Sequence, residues 1–174
     1  MAYSTKAIFG KRALGLAFAE DYIDWAGEML MLRLDSFHLR ILAGLIRPGC
    51  IFETDQYFFR CIKELNIIQP EPEAAVRAYA CEIAQQIIDG QLTSHEGVRS
   101  LYKICVATDY SQEYIVWYEL DDALDSLLAG GVSYTYPSAS LKNFDEIVEQ
   151  EAENYIANLQ KTNGGLTSAC NGGR

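Results

Sequence analysis

The chain has 174 residues, 49% hydrophobic and 22% charged, and a formal net charge of −10. At this length one domain buries about 70% of its unfolded surface, so neither disulfides nor a metal ion is needed to hold a core. This composition excludes a disordered protein, and the negative charge opposes binding to nucleic acids or anionic membranes, whose phosphates would be repelled. No apolar run reaches the ~18 residues of a membrane-spanning helix, so we expect a soluble protein.

The negative charge is concentrated late in the sequence. Residues 1–63 hold 8 Lys and Arg against 7 Asp and Glu, whereas residues 64–174 hold 6 against 17. Opposite charge steers association, so this distribution predicts that any charge-steered partner is basic. The five cysteines are unevenly spaced, contain no C-x-x-C pair and fall mostly in helix-patterned stretches, which favours reduced thiols in the cytoplasm (Cys50, Cys61, Cys81, Cys105, Cys170).

The first 50 residues predict two helices. Apolar residues recur at helical spacing over residues 14–32, with Glu20, Asp24 and Glu28 stacked on the opposite face. Asp35 or Ser36 can cap a second helix over residues 36–46, which Pro48-Gly49 ends. Because this second helix is apolar nearly all round, we expect it to lie centrally.

Start and stop residues mark three helices in the middle of the chain. A third helix is predicted over residues 54–65, and a fourth begins near Pro72, where proline is tolerated in the first turn, and ends at Gly90. Thr93 and Glu96 have the spacing of a capping box and predict the start of a fifth helix.

The end of the chain predicts two more helices and a loop. Ser111 is expected to cap a sixth helix that Gly130-Gly131 ends. Residues 130–143 have no helical period and predict an ordered loop, with a short extended piece considered at residues 132–136. Asn143 is expected to cap the last helix, whose outer face is acidic, and residues 162–174 predict a disordered, polar, Gly-rich tail.

These elements predict an all-α fold of about seven helices, because no strand pattern of useful length is present. Two arrangements remain open, a compact bundle or a short stack of helical hairpins. We expect residues 1–161 to form a single domain.

Residues suited to catalysis are scarce. The only histidines are His38, near the start of the second helix, and His95, and neither lies in a recognisable motif. The sequence lacks G-x-S-x-G and a Gly-rich phosphate loop, and no cysteine has a histidine or an electropositive setting nearby. We therefore favour capping or core packing for His38 and a surface position for His95, and predict neither catalytic residues nor a cofactor.

Four carboxylates crowd seven positions of the sixth helix: Glu119, Asp121, Asp122 and Asp125. Pairs spaced three or four apart face each other and could bind Mg²⁺ or Ca²⁺, which would suit a metal-dependent enzyme. However, a helix offers no loop that wraps around the ion, and the Glu-x-x-His motif of di-iron bundles is absent. A solvated acidic face is the simpler interpretation.

The same carboxylates fit a protein-binding surface, because like charges held together are relieved by a basic partner. Nearby aromatic residues are of the types that anchor interfaces, although they fit core packing equally well. The predicted partner-binding residues are Tyr114, Trp117, Tyr118, Glu119, Asp121, Asp122, Asp125, Glu146, Glu149 and Glu153. An immunity-type or antitoxin-type inhibitor of a basic toxin is one concrete form, and a self-assembling homo-oligomer is a further alternative.

One segment carries a family resemblance. Residues 39–45, LRILAGL, followed by Phe52-Glu53, Tyr57-Phe58 and Glu64-Leu65, resemble a group of small all-helical bacterial proteins over about residues 15–130. The resemblance implies a bacterial, cytoplasmic helical domain. Because we associate no activity with that group, it implies no function.

Overall fold

The computed structural model describes residues 3–167, with side chains through residue 161, and this part of the chain contains eight α-helices and no strand. The prediction of an all-α fold is confirmed, and the predicted number of helices is one short. The helices are α1 Thr5–Ala13, α2 Ala19–Met31, α3 Phe37–Ala43, α4 Ile51–Glu64, α5 Pro72–Ile88, α6 Ser94–Ala107, α7 Ile115–Leu128 and α8 Phe144–Thr167. Within the described residues, none of these helices is both long and apolar enough to cross a membrane.

The chain divides into two compact units, the first unit Met1–Tyr79 and the second unit Ala80–Arg174, so that the boundary falls inside α5. In the first unit α2, α3 and α4 pack on one another, and α1 packs on α2. In the second unit α6 packs mainly on α7, and α8 contacts both. The expectation of one domain over residues 1–161 stays a prediction.

The region predicted as one helix over residues 14–32 instead begins with a turn that follows α1, and α2 occupies only Ala19–Met31. Gly15 has a φ of +69°, a backbone conformation that L side chains rarely adopt, and the N–H of Leu16 donates to the carbonyl of Lys11 at 2.9 Å. A new helix then begins where Asp21 accepts the N–H of Phe18 at 2.7 Å. The predicted start of this helix was wrong because Gly15, inside an apolar run, ends α1, whereas the predicted end near residue 32 agrees with α2.

Helix α3 is shorter than predicted. Ser36 caps it by accepting the N–H of Leu39 at 3.4 Å, and it ends before Gly44 rather than continuing to Ile46, which is 88% exposed. Leu39 and Leu42 are fully buried, but Phe37 on the same helix is 66% exposed, so α3 is buried along one side only and the expectation of a central helix was wrong.

An aromatic cluster forms the core of the first unit. The ring of Phe58 on α4 lies 5.1 Å from Phe9, 5.0 Å from Tyr22 and 4.8 Å from Trp25, measured between ring centroids. The contacts with Phe9 and Trp25 are edge-to-face and the contact with Tyr22 is tilted, and such ring pairs add to the stabilisation from burying the rings. Helices α1, α2 and α4 therefore meet at one side chain.

The capping predictions for α6 and α7 had different outcomes. Thr93 and Glu96 form the predicted capping box, with the N–H of Glu96 donating to Thr93 Oγ1 at 3.2 Å. Ser111, by contrast, does not cap α7, which begins after Tyr114. The carbonyl of Ser111 accepts the N–H of Tyr114 at 2.9 Å and closes a turn before the helix, so the prediction for Ser111 was wrong.

Residues 131–143 connect α7 to α8 without forming a strand in the described structure. Gly130 has a φ of +78°, which fits its predicted role in ending α7. Helix α8 begins at Phe144, directly after Asn143, and extends to Thr167. The remainder of the predicted disordered tail lies outside the described residues.

Candidate functional site

The carboxylates of α7 are divided between the core and the surface of the second unit. Asp121 is buried, with its side chain 8% exposed, whereas Asp122 and Asp125 are exposed. Arg99 on α6 approaches two of them, donating from Nη2 to Asp125 and lying 3.7 Å from Asp121 through Nε. Burial raises the pKa of Asp121, and the charge of Arg99 opposes this rise.

The loop between α7 and α8 is tied to both helices by side-chain hydrogen bonds. Thr135 Oγ1 donates to the carbonyl of Glu119 and to Asp122, both at 3.0 Å. The hydroxyl of Tyr136 donates to Glu151 on α8 at 2.9 Å. The carboxylate of Asp122 and the backbone carbonyl of Glu119 therefore help to order this loop.

The acids of α8 remain on the surface. Asp145, Glu146, Glu149 and Glu153 are all exposed, while Val148 and Ala152 on the same helix are fully buried. Among the described residues, no Lys or Arg forms a salt bridge with any of these four acids. Their charge is consequently available to an external group.

The predicted aromatic anchors lie mostly inside the second unit. Trp117 is 0% exposed and Tyr114 is 3% exposed, and both rings approach Tyr155 on α8 at about 6 Å. Tyr118 is half-buried. Of the three predicted rings, the structure therefore leaves only Tyr118 accessible without rearrangement.

Tyr118 has two tyrosine neighbours that the sequence analysis missed. Its ring centroid lies 6.1 Å from that of Tyr102 on α6 and 5.5 Å from that of Tyr110 in the α6–α7 turn. These three residues are called the tyrosine cluster below. The capping box of α6 and the acidic pattern of α7 were both visible in the sequence, but the pairing of the two helices was not.

The carboxylates do not form a metal site in the described structure. Among residues with described side chains, no group of three or more His, Cys, Asp or Glu side chains is arranged to hold a metal ion. Asp122 is hydrogen-bonded to Thr135, and Asp125 is paired with Arg99. No observation here favours the metal-dependent alternative.

The two histidines lie in different units. The backbone N–H of His38 donates to Glu64 at 3.1 Å, and its Nδ1 lies 2.5 Å from the other carboxylate oxygen, joining α3 to α4. Hydrogen bonds from Ser36 and from His38 lower the pKa of Glu64 to about 2. His95 is exposed, with its ring 5.7 Å from that of Phe144.

Two further features were not foreseen. The first is a shallow groove of about 350 Å³ along α4, lined by Cys50, Phe52, Glu53, Gln56, Tyr57 and Arg60. The second is an S-x-x-K sequence on α6, the spacing of some serine nucleophiles, formed by Ser100 and Lys103. The Ser100 hydroxyl donates to the carbonyl of Glu96 at 2.8 Å, and Lys103 is exposed, so this pair has no geometry for nucleophilic catalysis.

Lys11 on α1 is the main buried charge of the first unit. It is 7% exposed, and its Nζ lies 2.5 Å from Asp21 and 4.8 Å from the ring centroid of Tyr3. The rings of Phe18 and Tyr79 lie 5.7 and 5.9 Å away. Three aromatic rings and one carboxylate thus surround an ammonium group, an arrangement called the Lys11 cage below.

Comparison with known proteins adds no relative. No protein-family model matches the chain, and no curated protein or solved structure is significantly similar to it.

Proposed function

We propose that this protein is a helical protein-binding module whose acidic second unit engages a basic protein partner. An inhibitor of a basic toxin, of the immunity or antitoxin type, is one concrete form of this proposal. The observation that supports it best is the row of exposed acids on α8 with which no Lys or Arg of the described residues forms a salt bridge.

The charge balance of the two units supports the same proposal. Residues 80–174 hold 14 Asp and Glu against 5 Lys and Arg, a net charge of −9, whereas residues 1–79 hold 10 against 9. A strongly charged surface accelerates association with a partner of opposite charge and disfavours partners of like charge. The second unit is therefore the part of the chain suited to select a basic protein.

The proposed setting is the cytoplasm. Cys50, Cys61, Cys81 and Cys105 are all free thiols in the structure, and burial raises the pKa of Cys61 to about 12. Free thiols suit a reducing compartment. A compact bundle or a short stack of hairpins remains our proposal for the complete fold.

Charge reversal on α8 tests the proposed function. Glu149→Lys with Glu153→Lys changes two exposed acids, and Glu71→Lys with Glu73→Lys makes the same change in formal charge in the first unit. Proteins captured from a cell extract by the wild-type chain would be compared with those captured by each double variant, using quantitative mass spectrometry. We expect basic proteins to be lost with the α8 variant and retained with the first-unit variant.

The salt dependence provides a second measurement. Capture should weaken as the salt concentration rises from about 0.1 M to about 0.5 M, because exposed charges are screened over shorter distances. Light scattering on the same samples separates a foreign partner from self-association. If the α8 variant keeps every protein that the wild type captures, the proposed function is wrong.

A further inference from the structure

Three tyrosines meet at one end of the α6–α7 hairpin. Tyr102 is on α6, Tyr118 is on α7 and Tyr110 lies in the turn between them, with neighbouring ring centroids 6.1 and 5.5 Å apart. Tyr110 is 47% exposed, and the other two rings are half-buried. The tyrosine cluster therefore presents aromatic surface to solvent from three separate chain segments.

The backbone holds Tyr110 in an unusual conformation. Asp109 and Tyr110 have φ values of +52° and +56°, a region that residues with bulky side chains rarely occupy. The N–H of Tyr110 donates to the carbonyl of Cys105 at 2.9 Å, which fixes the turn to the end of α6. The third ring of the cluster is thus held in place by the helix end.

A buried carboxylate adjoins the cluster. Asp121 follows Tyr118 by three residues on α7, so the two side chains are neighbours on the helix surface. Its Oδ1 is buried and has no hydrogen-bond partner among the described residues, and Nε of Arg99 comes no closer than 3.7 Å. Burial raises the pKa of Tyr102, and the charges of Tyr110 and Asp121 add to the rise, so the carboxylate acts on the cluster electrostatically.

The first unit contains the same set of groups with a cation among them. In the Lys11 cage, an ammonium group lies within 6 Å of three ring centroids and against one carboxylate. In the tyrosine cluster, no Lys or Arg of the described residues lies over a ring. The second unit therefore provides three rings and a carboxylate without an internal cation on the rings.

We infer that the tyrosine cluster, together with Asp121, is a receptor for an arginine side chain of the basic partner. This inference rests on the proposed function and gives the partner's contact a specific chemistry. A planar guanidinium stacks on tyrosine rings and is attracted by the negative charge of a nearby carboxylate, whereas an ammonium acts as a compact, strongly hydrated point charge. The net charge of −9 over residues 80–174 favours this cationic occupant over an apolar one.

The test uses the full chain and a blocked hexa-arginine peptide as the probe. Binding would be followed by nuclear magnetic resonance at about 0.15 M salt, where screening over about 8 Å suppresses long-range attraction. We expect saturable shifts at Tyr102, Tyr110 and Tyr118, and weaker binding of a hexa-lysine peptide. Replacing Tyr110→Leu and Tyr118→Leu together should weaken hexa-arginine binding by roughly tenfold.

Matched variants separate recognition from folding. Tyr110→Phe with Tyr118→Phe keeps both rings and should keep the affinity within about twofold, because the ring face supplies the attraction. Tyr134→Leu removes a ring that is 86% exposed elsewhere in the second unit and should leave the affinity unchanged. Asp121→Asn keeps the side-chain shape and should weaken binding by about fivefold through loss of the negative charge near the rings.

The outcomes distinguish this inference from the proposed function. One outcome is that the double leucine variant binds as tightly as Tyr134→Leu while Glu149→Lys with Glu153→Lys abolishes binding. The inferred arginine receptor is then wrong, and the proposed role of the α8 acids is supported. If the α8 variant binds normally and the leucine variant does not, the inferred receptor is supported and the α8 acids do not contribute to peptide binding. If the wild-type chain does not bind hexa-arginine at all, the receptor is wrong, and the capture experiment decides the proposed function separately.

Discussion

The two units use similar side chains for opposite purposes. In the first unit, three aromatic rings and Asp21 surround Lys11, a cation of the same chain. In the second unit, three tyrosines lie together and Arg99 lies near Asp121, but no Lys or Arg of the described residues lies over the tyrosine rings. The comparison indicates that the first unit neutralises its charges internally, whereas the second leaves negative charge for an external group.

The ion pairs of the two units show the same contrast. In the first unit, Arg12 donates to Asp55 at 2.6 and 3.2 Å, and Tyr22 donates to the same carboxylate at 2.9 Å, which joins α1, α2 and α4. Arg47 also pairs with Asp24 across the unit. In the described part of the second unit, Arg99 supplies the salt bridges to acids.

The largest expected effect comes from emptying the Lys11 cage. Lys11→Met should lower the free energy of unfolding by about 3 kcal/mol, because removing one partner leaves the other charge of a buried pair uncompensated. Tyr110→Leu in the tyrosine cluster should change the free energy of unfolding by no more than about 0.5 kcal/mol, since no cation of the described residues lies over this ring. Urea denaturation of both variants measures the difference. Equal losses of stability in the two variants would contradict the contrast drawn between the Lys11 cage and the tyrosine cluster.

The next largest effect concerns glycines at close helix contacts. A Cβ at Gly10 would lie 2.2 Å from the backbone oxygen of Ala75, whereas one at Gly97 would lie 2.4 Å from the side chain of Ile87. Gly10→Ala should therefore lower the free energy of unfolding by about 3 kcal/mol, and Gly97→Ala by about 1 kcal/mol, because a side chain can move more easily than a backbone.

A double-mutant cycle sharpens this prediction. Adding Ile87→Ala to Gly97→Ala removes the atoms that collide, so the double variant should be more stable than the sum of the single effects predicts. Thermal unfolding of the three variants and the wild type provides the values. Strict additivity would show that the Gly97 contact does not limit the packing of α5 against α6.

The smallest expected effects depend on pH and have opposite signs in the two units. Burial alone would raise the pKa of Asp55, but hydrogen bonds from Arg12 and Tyr22, with the charge of Arg12, lower it below the usual 3.8. Burial raises the pKa of Asp121 above the same value. Asp55→Asn should therefore be less stable than the wild type near neutral pH, and Asp121→Asn more stable.

The stability difference between each asparagine variant and the wild type should vanish in acid, at a different pH for each variant. The contribution of Asp55 is present above its unfolded pKa and is lost as the pH falls through its lower folded pKa. For Asp121 the protonated form is favoured by folding, so the advantage of the asparagine variant disappears as the pH falls through a folded pKa above 3.8. Urea denaturation from about pH 7 to about pH 3 tests this order. A stabilising effect of Asp55→Asn at neutral pH would contradict the predicted stabilisation by Asp55.

The elements that the sequence predicted well are those marked by local chemistry. The capping box of Thr93 and Glu96, the proline start of α5 and the glycine end of α7 each depend on groups within one helical turn. The start of α2 was predicted wrongly because two local signals compete. The helical period of the apolar residues favoured a helix from residue 14, but Gly15 ends α1 and α2 begins only at Ala19.

The candidate site shows the same limit. The acidic faces of α7 and α8 followed from helical spacing, and the exposure of the α8 acids agrees with that spacing. Trp117 and Tyr118 are adjacent in sequence, but one is fully buried and the other half-exposed to solvent, and only the packing of α6 and α8 on α7 decides which. The packing of the helices also places the rings of Tyr102 and Tyr110 beside Tyr118.

By itself, the sequence determined the all-helical class, several helix ends and the location of the acidic charge, because periodicity, caps and net charge are local or additive properties. The tertiary structure alone decided which charges meet a partner within the chain. Lys11 and Asp21 are 10 residues apart and Arg12 and Asp55 are 43 apart, and such pairs form only when helices pack. Packing likewise brought Tyr102 of α6 beside Tyr118 of α7 and left the acids of α8 facing solvent.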